Sequence, residues 1–349
     1  MANCLSSVYI GDIEFSISHG HLLTITTNKK TDITELTIKN KKLTNLIGIE
    51  LLINLTILTI DGALITNLID IKTLINLTDL TITNNGLKSL FGIESLINLE
   101  KLDISFNDYI SLTGIESLIN LKKLIIAGSE LTSLTGIESL INLTELDVSY
   151  NNLTSLVGIG GTVNLIKLIC HDNQLTSFVG IEQLINLKEL FISNNQLTSL
   201  HGVGCLVNLT ILFIDNNKLT SLKGIEPLVN LVKLYCGGNL LTSISNLKKL
   251  TSLSTINIIT NNVKSIISIH LLTNLNNMVS IYNPILPLDQ LNLIKYIEKN
   301  KFNIYNYWQL SCKFPRHFKI VIFVILKNLL VVDFKKTLMK NRLIWNRYL

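Results

Sequence analysis

The chain has 349 residues, a formal net charge of +5 and 47% apolar residues, with only four prolines and eighteen glycines to interrupt it. About forty asparagines and aromatics held to 6% point to many copies of one unit rather than to several dissimilar domains. Five scattered cysteines (Cys4, Cys170, Cys205, Cys236 and Cys312) exclude a disulfide framework and show no paired metal-type spacing.

In chain order, residues 1–32 come first, and they read as an amino-terminal cap with strands expected around Ile13–Ile17 and Leu22–Ile25. This segment has no basic leader and meets Asp12 and Glu14 before an apolar run can build, so a secretory signal is not expected and a cytoplasmic location is. His19 and His21 lack a third ligand nearby, and no metal or cofactor is expected.

From Ile33 a 22-residue frame repeats without insertion or deletion. Eleven complete units fill 33–274 and a partial one fills 275–288. Apolar residues recur at positions 1, 4, 6, 11, 14, 17 and 20, as in Leu143, Leu146, Val148, Leu153, Leu156 and Ile159. Position 9 is Asn in nine of twelve units, and position 16 is Gly in eight of the eleven complete ones. Positions 4 and 6 fall on one side of a strand, so stacked copies bury a wall that a single copy leaves open to water. A buried Asn can donate and accept, which suits it to bonding backbone inside the coil and to the neighbouring coil. A glycine at position 16 permits a tight turn. The following G-I-E-x-L is long enough for one turn of 3₁₀ or α type. Asn-x-Thr matches at Asn54, Asn76, Asn142, Asn152 and Asn208 are by-products of the repeat.

These residues match the signature L-x-x-L-x-L-x-x-N-x-L, shown plainly by LINLTELDVSYNNLTSLVGI. Over roughly 250 residues the chain resembles the leucine-rich repeat family, in particular the 22-residue class found in internalins and in a regulatory subunit of protein phosphatase-1. The resemblance implies an α/β solenoid: a right-handed horseshoe with a parallel β-sheet on its concave face and short turns on its convex face. The Asn, Ile and Lys bias and the uniformity of the units also resemble leucine-rich repeat proteins of giant DNA viruses of amoebae, for which the cytoplasm would be that of the host cell.

Residues 289–349 break the pattern. They hold twelve Lys or Arg against three acids and eleven of the twenty-two aromatics. A mainly helical tail or cap is expected, with LDQLNLIKYIEKN as an amphipathic helix. The apolar run Ile320–Val332 falls short of the roughly twenty uncharged residues a membrane span needs, and Lys319, Lys327 and Asp333 interrupt it. Membrane contact through this tail is therefore the minor reading, and no nucleic-acid partner is expected.

Signals for catalysis are weak. GIGGT, residues 158–162, resembles a phosphate loop only because Gly158 is the repeat glycine. His171, Ser193 and Asp215 share position 7 of consecutive units, but a nucleophilic triad needs histidine between serine and carboxylate, and here serine is central. Cys170 and Cys236, at position 6, face the core about 14 Å apart at one strand spacing per repeat, too far to bridge. Cys312 lacks the neighbouring acid that marks the catalytic cysteine motif of bacterial leucine-rich-repeat ubiquitin ligases, so that activity is not expected.

The sharpest functional signal lies on the expected concave side, at positions 3, 5 and 7. Position 5 starts as Thr37, Thr59 and Thr81 and becomes Ile169, Phe191, Phe213 and Tyr235 in four consecutive units. Lys233 at position 3, and His171 and Asp215 at position 7, rim that apolar run. Aromatic anchors inside a polar rim resemble an interface centre. The expected function is a non-enzymatic, monomeric scaffold that binds a protein partner through this face. The alternatives are a tail-anchored or membrane-associated protein, and a regulatory subunit or adaptor for a phosphatase or ubiquitin ligase.

Overall fold

The computed structural model describes 33–285, except residues 40, 41, 110 and 281, and the backbone of three earlier strands. Those strands, β1 (Ser6–Ile10), β2 (Ile13–Ser18) and β3 (His21–Leu23), form an antiparallel sheet in sequential order. β2 covers the first expected stretch, β3 meets the second only at Leu22 and Leu23, and β1 is additional. His19, Cys4, Cys312 and the tail expected from residue 289 onward lie outside the described residues.

The repeats form a right-handed solenoid whose twelve parallel strands make one sheet in sequence order. β4 (Glu35–Ile38), β5 (Ile57–Asp61) and β6 (Asp79–Thr83) are the longer strands at the start. From β7 (Lys101–Asp103) to β15 (Asn277–Val279) each strand spans three residues at positions 3 to 5. Pairing is in strict repeat register: Leu168 opposes Leu190, and Leu190 opposes Leu212. A parallel strand needs a crossover before the next can pair, and the rest of each 22-residue unit supplies it. Opposite the sheet run short 3₁₀ turns such as Ile93–Ser95 and Ile115–Ser117, so 3₁₀ is the form taken of the two expected.

The core is one continuous column. Leu143, Leu146, Val148, Leu153, Leu156 and Ile159 are buried, and so are their counterparts in neighbouring units. Truncating such a leucine to alanine typically costs about 2–5 kcal/mol. Inside the column runs a ladder of position-9 amides. Asn195 accepts from Leu175 N at 2.9 Å in the preceding coil and donates to Cys170 O there at 3.0 Å. It also donates to Ile192 O and Ser193 O of its own coil. Each asparagine thus satisfies backbone groups of two coils at once.

One coil solves the same problem differently. Position 9 of the fifth unit is Ser129, too short to reach back. Position 11 of the unit before it is Tyr109, fully buried where the other units carry an aliphatic residue. The Tyr109 hydroxyl donates to Ile104 O at 3.1 Å, the carbonyl an asparagine at 129 would have met. Ile104 O accepts a second bond from Asn107 Nδ2 at 2.8 Å, as in the regular coils. Burial pushes the Tyr109 phenol far up, against a smaller opposing effect of the Ser129 hydroxyl beside it; Ser129 Oγ makes no hydrogen bond of good geometry.

The turn glycines at position 16 all take a left-handed φ, and at some of them a side chain would also clash. Gly180 has φ of 106°, and a Cβ there would run into Leu156 O. The glutamate two residues later completes the turn: Gly136 N donates to Glu138 Oε2 at 2.7 Å, and Gly48, Gly92, Gly114, Gly180 and Gly224 repeat the bond. Where position 16 is Asp70 the left-handed turn is absent, and the Asp70 carboxylate accepts from Leu46 N of the preceding coil instead. In GIGGT, Gly158 makes the same left-handed turn, with φ of 106°. Gly161 packs so tightly on Glu138 O that a Cβ would not fit, and buried Thr162 donates to Ile159 O.

Candidate functional site

Strand register places Ile169, Phe191, Phe213 and Tyr235 side by side on the concave sheet. All four are half-buried, while Leu168, Leu190, Leu212 and Leu234 beneath them are fully buried. The three rings form a ladder. Phe191 stacks on Phe213 with centroids 4.9 Å apart, and Phe213 on Tyr235 at 4.1 Å with planes within 3°. In-register parallel strands hold equivalent side chains about 4.8 Å apart, close to ring-stacking distance, so the repeat spacing permits the stack that the ring rotamers complete. Lys167 Nζ sits 5.4 Å from the Phe191 centroid. With faces engaged by one another, the rings turn their electropositive edges to solvent.

Charges flank the ladder at position 3. Lys123 pairs with Glu145 at 2.8 Å and Lys167 with Glu189 at 3.7 Å. Lys233 is exposed and has no ion-pair partner among the described residues.

Position 7 is more enclosed than strand alternation alone predicts. Ser105 and Ser149 are buried, their hydroxyls donating to Asp103 and Asp147 at 2.7 and 2.6 Å. His171 Nδ1 lies 2.7 Å from Asp172 Oδ2 and meets Tyr150 edge-on. Asp215 Oδ1 accepts from Gly237 N at 2.8 Å. Burial is the main effect on Asp215 and pushes its carboxyl above the ordinary value, against the opposing bond from Gly237 N. His171 and Asp215 are therefore engaged separately, His171 with Asp172 and Asp215 with the Gly237 amide. Burial raises the Cys170 and Cys236 thiols far above their normal range, so neither is a ready nucleophile.

Two features escaped sequence reading. Position 8, at the exit of each strand, is left-handed in every coil from Gly62 onward, with φ between 52° and 68°. Asn, Asp and Gly dominate there and would have signalled it, but Phe106, Tyr150, Thr260 and Tyr282 share the conformation and hid the pattern. At position 22, a second asparagine ladder runs along the strand-entry edge: Asn120 donates to Ile97 O and Asn142 to Ile119 O, both at 2.9 Å. The Asn-x-Thr matches at Asn76, Asn142 and Asn208 are rungs of it.

Coil, amide ladder and glycine turn agree with the family comparison, in which the family described as leucine-rich repeats (two copies) matches residues 163–202 and 185–228. The chain carries leucine-rich repeats. Its solenoid resembles an internalin (inlF) of Listeria monocytogenes at 24% identity, a TM-score of 0.64, and coverage of 77% of this chain and 86% of that one. A functional domain of InlJ from the same bacterium, which includes a cysteine ladder, is 27% identical with a TM-score of 0.66, over 78% of this chain and 57% of that one. A leucine-rich repeat protein of Leptospira interrogans is 26% identical with a TM-score of 0.69, over 80% and 87%. No curated protein matches the sequence. No helix among the described residues is long and apolar enough to cross a membrane.

Proposed function

We propose that this protein is a non-enzymatic scaffold that recognises a protein partner on its concave face, centred on Phe191, Phe213 and Tyr235. The observation that carries this reading is the stacked, half-exposed aromatic ladder. Before it, the same row of the sheet face is mostly threonine and aspartate: Thr37, Thr59, Thr81, Asp103 and Asp147, with Ile125 among them. Ile169 extends the apolar strip on one side, and Lys233, outside the ion pairs of the described residues, supplies a cation at its rim. Ring edges and an ammonium suit a partner that presents backbone carbonyls and a carboxylate. His171 and Asp215 are engaged in bonds within the protein, and their part in recognition is to hold the rim in shape. The similarity to internalins, as a repeat architecture, supports a binding role over a catalytic one, but fold alone does not choose the partner.

The test is the full chain with Phe191, Phe213 and Tyr235 all replaced by serine, compared with wild type for melting temperature and for proteins captured from the native cell. Loss of two ring stacks costs about 1–3 kcal/mol, which a long solenoid tolerates. The expected result is a folded variant that no longer captures a partner. A large loss of stability with the same captured proteins would assign the rings to packing and overturn the proposal.

A further inference from the structure

The surface carries a second feature, away from the concave face and independent of the reading above. Position 21 is an exposed aliphatic residue in nine consecutive coils, from Ile53 through Ile97, Ile119 and Ile141 to Val229, each 41–54% exposed. At about 4.8 Å per coil this row runs for roughly 40 Å, well beyond the isolated apolar residues any soluble protein shows. Three residues before each member, in six of the units, stands the carboxylate that accepts from the turn glycine, as Glu94, Glu116 and Glu138 do. The row is therefore apolar with acid along its side.

The chain carries a segment of complementary chemistry. Residues 289–349 contain twelve Lys or Arg against three acids, around the thirteen-residue apolar run Ile320–Val332. Without them the chain carries −4, and with them +5. Thirteen residues cover about 20 Å as a helix or about 43 Å extended, which is four to nine coils. From Ile285, where the described stack ends, the residues leading to Ile320 reach up to about 110 Å, twice the roughly 55 Å of twelve coils. We propose that the apolar run of the carboxy-terminal tail docks on the position-21 row, its flanking lysines and arginines set against the turn glutamates. A second copy of the chain is the competing occupant. It brings the same acid-flanked row rather than a complementary one, unless it donates its own tail.

The experiment uses the full chain with Ile119 replaced by the photo-crosslinker p-benzoylphenylalanine. Irradiation is followed by protease digestion and mass spectrometry. The expected product is a monomer whose residue 119 is joined to a peptide within 315–345, at a yield independent of protein concentration. Adducts between copies that rise with concentration, or no adduct to the tail, would overturn the proposal. Glu94→Gln, Glu116→Gln and Glu138→Gln together keep an oxygen for each glycine N–H while removing three charges. The yield should then fall at least threefold at low salt, and an unchanged yield would overturn the electrostatic pairing.

Discussion

The exchange of Asn for the Tyr109 and Ser129 pair gives the most detailed prediction about the interior. Tyr109→Phe removes one donor from Ile104 O while Asn107 still serves it, so the cost is one net hydrogen bond, about 1 kcal/mol. Ser129→Asn drives an amide toward a carbonyl already met by the phenol, and overpacking of this kind costs about 1–3 kcal/mol. Tyr109→Leu alone leaves a cavity and one bond fewer, about 2–3 kcal/mol. Tyr109→Leu with Ser129→Asn recreates the arrangement of the regular coils, in which Leu175 N donates to Asn195 Oδ1 and Asn195 reaches back to Cys170 O. The double variant should therefore lie within about 1 kcal/mol of wild type, a coupling of at least about 2 kcal/mol between the sites. Urea denaturation of the full chain measures all four, with the slopes compared to check that the unfolding unit is unchanged. If the double variant costs the sum of the single ones, the phenol is not standing in for the amide.

Other consequences are local. Gly180→Ala meets both a φ of 106° and the carbonyl of Leu156, and should cost more than about 2 kcal/mol, whereas Gly160→Ala, with open space around it and no left-handed φ, should be neutral or stabilising by up to about 1 kcal/mol in the same titration. Thr260 holds φ of 54° with a β-branched side chain, so Thr260→Asn should raise stability by about 1 kcal/mol; no gain would mean that the strand exit carries no strain there. Asp215→Asn keeps an acceptor for Gly237 N and removes the titration. An unfolded Asp215 ionises near 3.8, whereas the folded carboxyl, raised by burial, holds its proton to higher pH. Wild-type stability relative to the asparagine variant should therefore fall as pH rises from about 3.8 through the raised value and stay level above it. A gap independent of pH would show that the carboxyl is not destabilised by burial.

Much of this architecture is written in the sequence because every coil repeats the same demands. Leu190, Ile192 and Leu197 had to be core, Asn195 had to be the internal amide, and Phe191 had to face outward, since strand alternation and a fixed period leave no other arrangement. What the period did not reveal are features that depend on where individual side chains reach, within a coil or between coils. The glutamate in G-I-E reads as a generic surface residue until Gly136 N is seen 2.7 Å from Glu138. Tyr109 and Ser129 read as two unrelated departures, because they lie twenty residues apart in sequence and touch only across the stack. At the candidate site, the alignment of Phe191, Phe213 and Tyr235 was legible, but the stack of ring faces and the withdrawal of Asp215 into a bond with Gly237 were not. Both depend on rotamers, which the pattern of residue types does not set.

The central claim is that the aromatic ladder recognises a partner. It is tested most directly by the affinity of the full chain for ligands selected against it from a displayed peptide library. Three proteins are compared: wild type, Phe191, Phe213 and Tyr235 all to serine, and Thr37, Thr59 and Thr81 all to serine on the same face. At least a tenfold loss of affinity is expected in the aromatic variant and none in the threonine variant. Equal affinities for all three, or equal losses in both variants, would contradict the claim.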